Sequence, residues 1–205
     1  MLTAKGAATR RRIIEGAAAE IREMGVAATT LDGILGRTAT SKSQVFHYFP
    51  GGKEELLLAV AAREADRVLE DQEPHLGDLG TWQTWDAWRD AVVERYRRQG
   101  VNCPLGLLVT ELGRTTPAAQ QLTAQLVDRW QAALRAGIER MQVAGAIDAA
   151  VDAGRTAAAI VAAIQGGVVI LMSTGRIIHL EAALDTMMAF LRSAAPTDVP
   201  GHDEE

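Results

Sequence analysis

The group of residues best equipped to recognise another molecule is Ser41-Lys42-Ser43-Gln44, followed by Phe46, His47 and Tyr48. A serine with a glutamine three residues later has the form of a capping box, in which each side chain satisfies a free backbone N–H at a helix start. Such a start turns positive dipole and N–H groups outward, which favours a phosphate. Along the helix that follows, Val45 and Phe49 are apolar and four apart, so they are expected to face inward. Lys42, Ser43, Gln44, Phe46, His47 and Tyr48 are left to supply donors, acceptors and an apolar edge. Glutamine can read adenine through two hydrogen bonds, and an aromatic ring can touch a thymine methyl. Arg10, Arg11 and Arg12 add attraction for a phosphate backbone. The chemistry implied is readout of duplex DNA.

Residues arranged for catalysis are missing. The sequence holds no Gly-x-Ser-x-Gly elbow, no His-Glu-x-x-His pair and no Gly-x-x-x-x-Gly-Lys loop. The four histidines, His47, His75, His179 and His202, have no metal-ligand spacing. No metal site and no cofactor are expected. Cys103 is the one cysteine, which excludes a disulfide scaffold and any site of several thiolates. A small helical enzyme using Cys103 is one rival reading, and an interaction module without DNA binding is another. As a nucleophile Cys103 would need an activating neighbour, whereas a lone cysteine in apolar surroundings packs.

A second cluster suggests a small-molecule pocket. Trp82, Trp85 and Trp88 recur at steps of three, with Tyr96 further along and Trp130 on another element. Such steps drift by about 60° each on a helix, giving a broad apolar face. The face can be core packing or the wall of a cavity for a flat ligand. As a cavity it is expected to include Asn102, Cys103, Leu107 and Glu111 beside the aromatic residues.

The elements that hold these groups are helices throughout. Alanine, leucine, glutamate and arginine recur at helical spacing, and alternating strand patterns are missing. About nine helices are expected: Thr9 to Met24, Leu31 to Arg37, Ser41 to Tyr48, Lys53 to Leu69, Thr81 to Arg98, Leu105 to Arg114, Pro117 to Ala144, Ala153 to Thr174 and His179 to Ser193. Thr9 and Thr30 are candidate caps, and Gly25, Pro50-Gly51-Gly52, Gly145 and Gly175 are breaks. The first three helices, with tight connections, have the outline of a helix-turn-helix unit. The last two are apolar on more than one face, so they suit both a core and a partner. Ala158, Ala162, Gly166 and Val169, with Leu180, Leu184, Met187 and Leu191, are expected at a two-fold interface. The run Ala157 to Met172 contains Gln165 and a glycine pair, and falls short of the roughly 20 apolar residues that span a bilayer.

Charge supports this division. The chain has 205 residues and a net charge of −5, but residues 1–53 carry eight Lys/Arg against four Asp/Glu. The remainder carries thirteen against twenty-two, so a basic head sits on an acidic body that repels DNA. Residues 1–53 are expected to read DNA, and 54–195 to bind ligand and dimerise. A helix over 53–69 links the two, and 196–205 forms a disordered tail. With no signal-peptide core at the start, a cytoplasmic protein is expected.

Three stretches resemble the TetR family of bacterial transcriptional regulators: Thr29-Thr30-Leu31-Asp32-Gly33-Ile34, then Ser41 through Phe49, then Lys53-Glu54-Glu55-Leu56. The resemblance implies an all-helical homodimer, with a small N-terminal DNA-binding domain and a larger domain for ligand and dimerisation. It implies a ligand-responsive repressor of a palindromic operator, with an activator of the same family as the alternative. By the motif, Thr30 would hold a phosphate at the head of its helix. Lys42, Ser43, Gln44 and Phe46 would face the major groove, His47, Tyr48 and Lys53 would hold the backbone, and Thr40 and Ser41 would belong to the same DNA-binding set. The sequence departs from the family pattern at Ala39, where a turn glycine is usual, at Thr40, where a hydrophobic residue is usual, and in one added glycine, Gly51 or Gly52. Gly33 and Gly36 also weaken the second helix by roughly 1 kcal/mol each against alanine.

Overall fold

A computed structural model describes residues 3–103, 105–106 and 116–194. Among these residues it holds eight α-helices and no strand. The ninth expected helix, Leu105 to Arg114, lies outside the described residues except for Leu105 and Gly106, which are helical.

The first helix, α1, spans Ala4–Ala28 and starts one turn and more before the expected Thr9. Thr3 is the cap, its hydroxyl accepting from the Gly6 N–H, while Thr9 lies inside the helix and donates to the Lys5 carbonyl. Ile13, Ile14, Ala17, Ala18 and Ile21 form its buried stripe. Gly25, at φ 77°, kinks the chain there, because the left-handed region suits glycine. Two short helices follow, α2 over Leu31–Thr38 and α3 over Lys42–Tyr48. A longer one, α4, spans Gly52–Glu70.

A single 3-10 turn at Leu76–Asp78 follows and leads to α5 over Trp82–Gln99, capped by Thr81. Three more helices complete the chain: α6 over Pro117–Val143, α7 over Ala153–Thr174 and α8 over Ile178–Ser193. Thr116 caps α6 ahead of its proline, Asp152 caps α7, and Gly175 ends α7 in the left-handed conformation.

Two apolar cores result, and α4 belongs to both. Leu56, Leu57, Val60 and Ala61 pack with α1, α2 and α3 around Ile13, Ile34, Val45 and Phe49. One turn on, Ala65 and Val68 join the second core with Trp85, Trp88, Trp130 and the buried sides of α7 and α8. The cores therefore meet inside α4, between Ala61 and Ala65.

Gln72, just past α4, is 1% exposed and fixes that end of the helix. Its side-chain oxygen accepts from the Trp88 indole at 2.7 Å and the Trp130 indole at 3.0 Å. Its amide nitrogen donates to the Val68 carbonyl. One side chain thus ties α4 to both α5 and α6.

The approach of α7 to α8 depends on Gly167, where a Cβ would come within 2.6 Å of the Leu180 Cα. Leu180, Leu184 and Leu191 seal α8 onto this core. By length and composition α7 could cross a membrane, at a mean hydropathy of 1.9, but one side of it is packed inside the protein.

Candidate nucleic-acid interface and effector cavity

The reading unit is assembled from α2, its turn and α3. Thr30 caps α2 by accepting from the Gly33 N–H at 3.0 Å, and the residue is exposed. Arg37 fastens α2 to α1, its Nε donating to Glu20 at 2.9 Å and its two terminal nitrogens to Glu23. That hydrogen bonding holds the Glu23 carboxyl below its ordinary range and raises the guanidinium. Arg37 is thereby engaged within the protein. A Cβ on Gly33 would meet the Glu20 carboxylate oxygen at 2.3 Å, so the glycine that weakens α2 leaves room for the carboxylate that Arg37 binds.

The turn reaches a left-handed conformation without glycine: Ala39 has φ 49° and ψ 44°. Around it Thr38 donates to the Ile34 carbonyl at 2.7 Å, and the Thr38 and Thr40 hydroxyls meet at 2.6 Å. Thr40, expected among the DNA-binding residues, is therefore buried in the turn.

The capping box at α3 is complete, with Gln44 N–H donating to Ser41 Oγ at 3.2 Å and Ser41 N–H to Gln44 Oε1 at 2.9 Å. The Gln44 oxygen is thus occupied by the cap, and its NH₂ group is the end that faces outward chemistry. Ser41, Lys42, Ser43, Gln44, Phe46 and His47 are exposed, while Val45 and Phe49 are fully buried. Tyr48 is half-buried and packs edge-on against His47, their rings 4.9 Å apart. Arg10 lies 5.1 Å above the Phe49 ring, and Arg11 and Arg12 are exposed beside it. Lys53 is half-buried in the first turn of α4, after Gly52 at φ 70°. One helix thus carries an uninterrupted polar and aromatic face on a rigid apolar back.

A cavity of about 70 Å³ lies in the larger unit. Tyr96 of α5, Cys103, Leu105 and Gly106, Thr123 and Leu126 of α6, and Gln165, Val168, Val169 and Met172 of α7 line it. Burial pushes both the Cys103 thiol and the Tyr96 phenol up, so both are neutral at ordinary pH and the thiol is not primed as a nucleophile.

Two family profiles match the chain. "Bacterial regulatory proteins, tetR family" covers residues 13–60, and "Tetracyclin repressor-like, C-terminal domain" covers residues 82–187, more than half of the chain. The chain belongs to the TetR family. The first of these profiles is one of bacterial regulatory proteins. An uncharacterized HTH-type transcriptional regulator of Mycobacterium tuberculosis is 28% identical over 133 residues, 59% of this chain. The chain spans 64% of that relative's length. Among solved structures, a TetR transcriptional regulator from Chloroflexus aurantiacus is similar at a TM-score of 0.78 and 27% identity, covering 92% of this chain and 96% of that one. A TetR regulator from Haloarcula marismortui shares the fold at a TM-score of 0.78 and 18% identity, over 93% and 100% of the two chains.

In this TetR-family chain the residues expected to bind ligand are divided. Tyr96 and Cys103 line the cavity. Trp85, Trp88 and Trp130 have no exposed surface and lie in the core, the first two edge-to-face at 5.6 Å. Trp82 is half-buried beneath Arg192 of α8, and Asn102 is exposed. Leu107 and Glu111 lie outside the described residues.

The expected interface residues divide as well. Ala158, Ala162, Gly166 and Val169 form an exposed stripe along α7. Leu180, Leu184 and Leu191 are buried within the protomer and Met187 is half-buried, because that face of α8 packs on α7. The outward residues of α8 include Ile178, Ala182, Thr186, Ala189 and Phe190, with His179 beside the first of them. Periodicity signalled α8 as apolar but not which side faced inward. Three charges could have done so: Glu181, Asp185 and Arg192 pair with Arg97, Arg89 and Asp86 of α5. Gln72 and Arg95, both buried and polar, carried no sequence signal of their own.

Proposed function

We propose that this regulator is a repressor that binds a palindromic operator as a homodimer and is released by a small, mostly apolar effector. In this reading residues 1–53 read DNA and 54–195 bind effector and dimerise, in the cytoplasm. Ser41, Lys42, Ser43, Gln44 and Phe46 would read the groove, and Thr30, His47, Tyr48 and Lys53 would hold phosphates.

The observation that carries it is α4's place in both cores. A shift at the Gln72 end cannot be absorbed locally, since close-packed interiors transmit strain. It would move Leu56, Leu57 and Val60, and with them α3. Effector would act by favouring a position in which two reading helices no longer match successive grooves, which requires different affinities for the two states. Two reading heads would be supplied by pairing the uncharged stripes of α7 and α8 with those of a second copy. Such a pairing buries Val169, Ile170, Ile178 and Phe190, which stand 37 to 52% exposed in the single chain.

Footprinting on the DNA flanking the gene, with sedimentation of the same protein, tests this reading. It predicts a symmetric footprint and a dimer at micromolar concentration. A monomer, or a footprint without symmetry, would contradict it.

A further inference from the structure

We propose that Gln165 is the specificity-determining residue of the cavity, and that the effector it selects is an uncharged carboxamide on a short apolar body. The proposal rests on the reading of this cavity as the effector site.

Gln165 is the one polar side chain in the run from Ala157 to Met172. On α7 it shares a face with Val168, Val169 and Met172, and all four line the cavity. The residue is half-buried, and its amide makes no hydrogen bond among the described residues. A carboxamide carries an acceptor oxygen and an NH₂ donor side by side. Its complement is a second carboxamide, whose N–H donates to Gln165 Oε1 while its carbonyl accepts from Gln165 Nε2. Thr123 of α6 lines the same cavity and adds to this. Its hydroxyl donates to the Ala119 carbonyl at 2.9 Å, so its oxygen is left as an acceptor for the other N–H of a primary amide.

The rest of the lining disfavours charge. Among the described residues no Lys, Arg, His, Asp or Glu lines the cavity. The Tyr96 phenol and Cys103 thiol, both raised by burial, stay neutral. A carboxylate or an ammonium entering here would give up its water without gaining a counter-charge. An uncharged amide gives up less and recovers it through Gln165 and Thr123. Leu126, Val168 and Met172 would take the apolar body, whose length the cavity of about 70 Å³ keeps short.

The test titrates the full chain with straight-chain primary amides from acetamide to hexanamide, and with the matched methyl ketones and carboxylates. Calorimetry reads affinity, and ¹⁵N NMR reads the Gln165 side-chain NH₂ signal, assigned by its loss in Gln165→Leu. At least one amide should bind about tenfold or more tightly than its ketone, which lacks the N–H donors, and should shift that signal. The matched carboxylate should bind more weakly than either. Gln165→Leu should remove most of the preference for amide over ketone, and Val168→Phe, which fills the cavity, should abolish binding of both. If either variant does not fold, the amide-to-ketone ratio and the NH₂ signal of the unaltered protein decide alone. Equal binding of amide and ketone, lost in Val168→Phe, would overturn the role of Gln165 and keep the cavity as the effector site. Binding of no series would overturn both readings. A preference for amide that survives Gln165→Leu, or tighter binding of the carboxylate, would also overturn the proposal.

Discussion

Replacing Gln72 with leucine should destabilise the protein far more than the loss of one polar side chain suggests. The Gln72 oxygen serves the indole N–H groups of Trp88 and Trp130 together, in a site 1% exposed where water has no access. Each buried donor left unpaired costs about 1–3 kcal/mol, so the pair costs about 2–6 kcal/mol. Leucine has a similar volume and returns about 1–2 kcal/mol through its apolar surface. The net loss is then roughly 0–5 kcal/mol, with a midpoint near 2.5, against the typical 5–15 kcal/mol. Urea unfolding followed by tryptophan fluorescence measures it, at fixed protein concentration because association would shift the midpoint. The Trp88→Phe variant supplies the control. In the double variant one orphaned donor is gone, so the combined loss should fall short of the sum by about 1 kcal/mol or more. Simple additivity in the double variant would refute the shared-acceptor reasoning.

Three further expectations follow from particular sites. Ala39→Gly should raise stability by about 1 kcal/mol, since an L-residue in the left-handed region carries about that strain; thermal unfolding of both forms checks it. Ala162→Arg sets a charge in the exposed stripe of α7, away from the cavity and the reading helix, and should give a folded monomer by sedimentation with weakened operator binding. The Cys103 thiol, raised by burial, keeps its proton in the folded chain where the unfolded chain loses it near the ordinary value of 9.0. The native state then binds more protons, so this contribution is complete below about pH 9 and declines as pH rises further. Melting temperatures across that range should fall less steeply in Cys103→Ala, and iodoacetamide should label Cys103 at neutral pH only after denaturation.

The fold was legible where local signals agreed. Ser41 and Gln44 announced their capping box, and Val45 and Phe49, four apart, were placed inward correctly. Residues whose position depends on distant packing were not legible. Thr40 reads as a polar turn residue until Thr38 and the carbonyl of Ile34 are seen to hold that turn together. The tryptophans of α5 read equally as core or cavity wall, and only Gln72, brought from the end of α4, makes Trp88 and Trp130 parts of the interior. In α8, Leu180, Leu184 and Leu191 lie on the side that Gly167 lets approach α7, a contact between helices that no periodicity within either one encodes.

The account's central claim is that α3 reads base edges in the major groove, and selection of binding sequences from a randomised duplex pool tests it most directly. Parallel selection with Gln44→Glu separates reading from folding, because the carboxylate keeps the acceptor that caps Ser41 but loses the NH₂ donor. The original protein should enrich an inverted repeat, and Gln44→Glu should fold equally well yet lose preference at one base pair in each half-site, by about 1–3 kcal/mol. Enrichment of no sequence, or of the same sequence with undiminished preference by the variant, would contradict the claim.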